Sequence, residues 1–233
     1  MGRVQKENNV TKLIDLSGLL YEGMWSYNIL PGMDLPEFAA EMVAGIPSHG
    51  YEAYGYRLAS LTGSCIETGR HMIAGVPALS DLPPSDFIRP AVVCHLPRKA
   101  PGDVIHVTDL EANCPPVQTG DALLIECGWG SHWAAPDYVT GSPAYHIDCL
   151  PWFLAQPFSI LGVDSPCIES ARSRPDGTEK TGNLLVPIFG RGALLLAPLV
   201  NLDQIEAPRG QLIALPLNIR GVSGAPCRAV FVE

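Results

Sequence analysis

Gly120-Asp121-Ala122-Leu123-Leu124-Ile125-Glu126-Cys127-Gly128-Trp129 is the stretch on which the reading of the fold turns. A Gly-Asp pair opens it, Gly128 closes it, and Ala122 to Ile125 are apolar without alternation. A short apolar run bounded by turn residues reads as a strand covered on both faces. Working outward, Ala91 to Leu96, Ser159 to Asp164, Ala193 to Ala197, Gln211 to Leu217 and Ala229 to Val232 have the same character. Tyr54 to Ala59 alternates like a half-buried strand, and Leu13 to Ser17 is a short one. His146 to Gln156, with Leu150, Phe153 and Leu154 as its apolar face, is expected to be helical. Arg172 to Lys180 reads as a polar loop. Strands outnumber helices, which predicts one mixed α/β domain over 13–233 behind a loose arm at 1–12.

Composition narrows the class. The 233 residues are 47% hydrophobic, enough for a core without staples, and only 17% charged. Soluble domains usually carry about 25% charged residues, so part of this surface is expected to lie in a homodimer or homotetramer interface. Mean hydropathy is +0.16. No run approaches the roughly 18 apolar residues of a membrane span, so no membrane partner is expected. The net charge of −9 argues against nucleic acid. Glycine (23) and proline (22) are spread throughout, which predicts short elements joined by tight turns. The seven cysteines include no C-x-x-C pair and the N-terminus is polar, so a cytoplasmic protein with reduced thiols is expected.

Chemistry concentrates in Ser64-Cys65-Ile66-Glu67-Thr68-Gly69-Arg70-His71. In an extended segment Cys65 and Glu67 share a face, and Gly69 allows a bend that returns His71 over it. A thiol, a carboxylate and an imidazole this close suffice for acid–base or nucleophilic work. In this reading His71 transfers protons, Glu67 orients or polarises it, and Cys65 is a nucleophile if His71 lowers its pKa. Ser64 would help to hold an oxyanion, while Tyr21, Trp25, Trp129 and Asp164 would line a substrate pocket.

The segment also resembles the signature of the cyclase superfamily, which includes bacterial kynurenine formamidase and isatin hydrolase. The superfamily pattern H-x-G-T-H-x-D-x-P-x-H falls on Leu61 to His71, where Gly63 and His71 match and Ser64 and Glu67 are near matches. Resemblance extends along the chain through Leu13 to Ser17, Gly120 to Trp129, Gly162 to Pro166, Ala197 to Leu202 and Gly224 to Ala229. It implies a mixed α/β fold with a barrel-like β core flanked by short helices, and a site near a subunit interface.

The departures shape the functional expectation. Where the resemblance places metal ligands, this chain has Leu61, Cys65, Glu67, Ala197 and, for a later histidine, a position near Leu185 or Val186. Apolar side chains offer no ligand atom, so no metal cofactor is expected. No two of His49, His95, His106, His132 and His146 share an i, i+2 or i, i+4 spacing that would replace them. The leading expectation is a metal-independent enzyme using acid–base catalysis. Its chemistry would be cyclisation, dehydration, isomerisation or lactone opening on a small carbonyl-bearing substrate. The alternatives are a metal-dependent amide or lactam hydrolase with rearranged ligands, and a non-catalytic small-molecule-binding protein.

Overall fold

Chain order in the computed structural model, which describes residues 12–169 and 183–233, follows the turn-rich composition. The strands and helices are β1 (Leu13–Asp15), β2 (Ala39–Ala44), α1 (Ile46–His49), β3 (Ala53–Arg57), β4 (Cys65–Glu67) and β5 (Ile88–His95). Then come β6 (Val104–Ile105), α2 (Val107–Asn113), β7 (Ala122–Glu126), β8 (Ala144–Tyr145), α3 (Cys149–Ala155) and β9 (Ile160–Val163). The last are α4 (Leu185–Gly190), β10 (Leu194–Ala197), β11 (Arg209–Pro216) and β12 (Gly224–Val232). The expected arm at 1–12, apart from Lys12, and the expected polar loop at 172–180 lie outside the described residues.

The opening stretch becomes β7, paired in parallel with β5 on one side and β9 on the other. β10 continues the parallel run beside β9 and then pairs antiparallel with β4. β4 also pairs with β12, and β12 leads through β11 back to β5. Seven strands therefore close a barrel, which leaves no free edge among them. β1 adds to the outside of β12.

Closure explains why the strands read as continuous apolar runs. Ile66, Val93, Leu124, Ile160, Leu196 and Phe231 point to one core, inside the barrel. Their neighbours Cys94, Leu123, Ile125, Leu161, Val163 and Leu195 point to a second core outside it. Leu110 of α2, Phe153 of α3 and Ile188 and Phe189 of α4 cover that outer core. The helix expected over 146–156 begins only at Cys149, because Tyr145 belongs to β8 and Asp148 is the N-cap. Pro151 sits in its first turn, where a missing N–H costs little.

The expectation of seven reduced thiols is corrected here. Cys94 on β5 and Cys114, the C-cap residue of α2, form a disulfide with an S–S distance of 2.08 Å. Cys65, Cys127, Cys149, Cys167 and Cys227 are free. Among the described residues no helix is long and apolar enough to cross a membrane.

Candidate active site

β4 delivers the functional face as its alternation demands. Ile66 enters the barrel core, while Cys65 and Glu67 face outward beside Ala197 and Leu195 of β10. Glu67 can pack there because Gly224 is its partner on β12, where a Cβ would stand 2.9 Å from Glu67 Cγ. The chain then turns. Thr68 caps a short 3-10 turn, Gly69–His71, by accepting the N–H of Arg70 at 3.2 Å. Gly69 eases a close approach, since a Cβ there would lie 3.1 Å from Phe189 Cβ. The turn returns His71 over the strand's outward face, as the sequence predicts.

Glu67 and His71 meet at the wall of a cavity of about 210 Å³. Glu67 is buried, and its Oε2 makes no hydrogen bond but lies 3.4 Å from His71 Nδ1. Burial raises the carboxyl pKa, while the His71 charge and the bond donated by Cys65 pull it back down, leaving a net rise. Tyr27, Leu30, Met33, Leu61, Leu185 and Leu195 make the apolar wall, and Ser142, Cys167 and Glu169 supply further polar atoms. Glu169 is fixed by accepting the N–H groups of Leu184 and Leu185 at 2.7 and 2.9 Å. Tyr27 is fixed too, its hydroxyl donating to the Pro166 carbonyl at 2.8 Å.

The other expected site residues divide. Cys65 is buried beneath Glu67, and its thiol donates to the Ala197 carbonyl at 3.2 Å. Burial and the Glu67 charge push its pKa well up, so it is held as a thiol and not as an activated thiolate. Ser64 is buried, with its hydroxyl donating to the Pro198 carbonyl at 2.7 Å and accepting the Gly18 N–H at 3.3 Å. Trp25 stands edge-on to Tyr27 and lines a narrow crevice that shares Tyr27 and Leu61 with the cavity. Tyr21 packs, half-buried, against the outer core.

Trp129 and Asp164 are away from the cavity lining. Trp129 is fully buried, and its indole N–H donates to the Tyr138 carbonyl at 2.9 Å. Asp164 accepts the backbone N–H groups of Cys127, Trp129 and Gly130 and the thiol of Cys127, so it anchors the turn after β7. Sequence reasoning missed Tyr27, Leu30, Met33, Ser142, Leu185 and Leu195 as cavity residues. They come from separate segments, and no local motif marks them.

Ligand-type atoms are distributed unexpectedly. Among the described residues, Glu67 and His71 have no third His, Cys, Asp or Glu atom near enough to complete a protein ligand set, and Leu61, Leu185 and Ala197 add none. Elsewhere, His106, His146 and Asp148 bring one ligand atom each to within 4.8 Å of one another.

A family model described as a putative cyclase matches residues 14–170. The chain belongs to the cyclase family. Among its relatives is the kynurenine formamidase of Bordetella avium (strain 197N), 28% identical over 175 residues, covering 73% of this chain and 76% of that protein. The kynurenine formamidase of Bordetella petrii is 25% identical over 220 residues, covering 91% and 88%. Isatin hydrolase A from Labrenzia aggregata, solved with benzyl benzoate, superposes with a TM-score of 0.80 at 19% identity over 95% of this chain and 93% of that one. A structure described as a potential metal-dependent hydrolase with cyclase activity superposes at 0.73, with 19% identity over 96% and 98%. The barrel predicted from the resemblance is thus the fold of cyclase-family structures.

Two expectations are corrected. The chain was expected to hold no metal-binding group, yet it brings together His106, His146 and Asp148. Histidine spacing does not mark this group, because its local signal is the i, i+2 pair His146 and Asp148 and His106 joins it only through the β6–β8 register. The leading expectation, a metal-independent enzyme of cyclisation, dehydration, isomerisation or lactone chemistry, gives way to an enzyme of hydrolase type, since the relatives are named as a formamidase and hydrolases.

Proposed function

We propose that this cyclase-family chain hydrolyses the C–N bond of a small amide, of the formamide or lactam type, with an apolar or aromatic body. The observation that carries the reading is the Glu67–His71 pair, buried on its acid side and open on its imidazole side, at the wall of a largely apolar cavity. The relatives' names supply the bond type, and Leu30, Met33, Leu61, Leu185 and Leu195 supply a surface for a flat apolar group.

In this reading Glu67 faces His71 Nδ1 and fixes the tautomer, leaving Nε2 to exchange the proton. His71 takes a proton from water as the water oxygen bonds to the carbonyl carbon. It returns that proton to the departing nitrogen as the C–N bond breaks, leaving a carboxylic acid and an amine. Among the described residues, the metal-capable group His106, His146 and Asp148 is not part of the cavity lining.

Purified protein offered a panel of aryl formamides, aryl lactams and lactones tests the proposal. Turnover is expected with the C–N substrates and is expected to fall by about 10²–10⁴ in His71→Ala. Turnover confined to lactones, or equal turnover in His71→Ala, contradicts it. The working unit is a homo-oligomer of at least two copies. β2 and β3 form a two-stranded sheet of their own, and Met42, Val43 and Tyr56 on it are exposed.

A further inference from the structure

His106, His146 and Asp148 lie together because of backbone register. β6 and β8 pair in parallel, with Val104 opposite Ala144 and Ile105 opposite Tyr145. The next residues on the two strands are His106 and His146, and the His146 N–H donates to the Ile105 carbonyl at 2.8 Å. Their rings stand 4.8 Å apart between centroids. Asp148 caps α3 and reaches across to the other unit, where its Oδ1 accepts the Val107 N–H at 3.1 Å. Its Oδ2 lies 3.0 Å from His106 Nδ1 and 3.1 Å from His146 Nδ1.

Two observations point to a cation between these three atoms. Zinc bonds to nitrogen and oxygen of about 2.0–2.2 Å put neighbouring tetrahedral ligands roughly 3.3–3.5 Å apart. The two nitrogen–oxygen separations fall just inside that edge length, so a small relaxation admits an ion. The second observation is a conflict at His146. Its Nδ1 accepts the Asp148 N–H at 3.3 Å, yet the adjacent Oδ2 asks the same nitrogen to donate. An imidazole nitrogen either carries a proton or offers a lone pair. An ion resolves the conflict by taking the Nδ1 lone pair in place of the long amide contact, so that Oδ2 no longer needs a proton from that nitrogen.

We propose that His106, His146 and Asp148 form a binding site for a divalent first-row transition ion of the zinc class, with water in the remaining positions. Two imidazoles and one carboxylate suit such an ion better than a hard, all-oxygen cation. All three side chains are partly exposed, so the ion enters from solvent. The site joins the β6–α2 unit to the β8–α3 unit, and an ion there braces the outer layer against the barrel.

The test uses the full chain stripped by chelator and carrying Glu67→Gln and His71→Ala, which removes the cavity pair from the count. Zinc is titrated calorimetrically, and cobalt is followed by its visible absorption. One equivalent per chain is expected, together with a zinc-dependent rise in unfolding temperature. His106→Gln and His146→Gln, both at half-exposed positions, should weaken binding by at least about 10–100-fold, the loss typical of removing even an outer partner. The same two substitutions in the otherwise unaltered chain should cost one equivalent. Failure of the protein to bind zinc, or unchanged stoichiometry and affinity in the glutamine variants, overturns the proposal.

Discussion

Burial raises the proton affinity of Glu67, and the neighbouring His71 lowers it again without cancelling the rise. The linkage sign follows. The folded carboxyl holds its proton to higher pH than the unfolded one, so the contribution to stability is complete below the ordinary glutamate range. It is lost as pH rises through the raised folded pKa. Glu67→Gln, which keeps the shape without the charge, should therefore gain thermal stability relative to the parent chain as pH rises above the ordinary glutamate range. A melting-temperature difference that stays flat over that rise argues against a buried, strained carboxylate. His71→Ala should cut kcat by about 10²–10⁴, the usual worth of a positioned acid–base group, with the fold intact by circular dichroism. Cys65→Ala should leave kcat close to that of the parent chain, because the buried thiol donates to Ala197 and stays protonated. A thiol reagent that inactivates the native enzyme by modifying Cys65 would show otherwise.

At the scale of elements, the β2–β3 hairpin is the part least accounted for by the chain's own packing. Two strands alone are marginal in water, and Tyr56 on this pair is 68% exposed. Val43→Glu with Tyr56→Glu should shift the mass measured by light scattering towards the monomer, and an unchanged mass excludes the hairpin from the interface. What was legible in the sequence also sorts by element. β5, β7, β9 and β10 were readable because a strand with two buried faces writes an uninterrupted apolar run. β6 and β8 have two residues each and no period to detect. The His106, His146 and Asp148 group depends on their register, so it escaped a search along the sequence. His71 was legible because Gly69 and a short turn bring it back locally to Glu67. The apolar wall was not, because Tyr27, Leu61, Leu185 and Leu195 meet only through the closed barrel and its outer layer.

The whole molecule is a closed barrel with one core inside and one outside, and the cavity lies on the outer side of β4. The two cores share the same strands, so damage to the inner core should reach the site. Leu124→Ala, at a fully buried position inside the barrel, should cost about 2–5 kcal/mol in denaturant unfolding. A cost well below that range would mean that the barrel interior repacks freely. In the proposed reaction this scaffold sets Glu67 and His71 against a C–N bond. Mass analysis of an aryl lactam or aryl formamide incubated with the enzyme in oxygen-18 water tests it most directly. The new carboxylate, or the released formate, is expected to carry the label, and label incorporation is expected to fall away in His71→Ala and Glu67→Gln. Unlabelled product, or equal labelling by all three proteins, would contradict it.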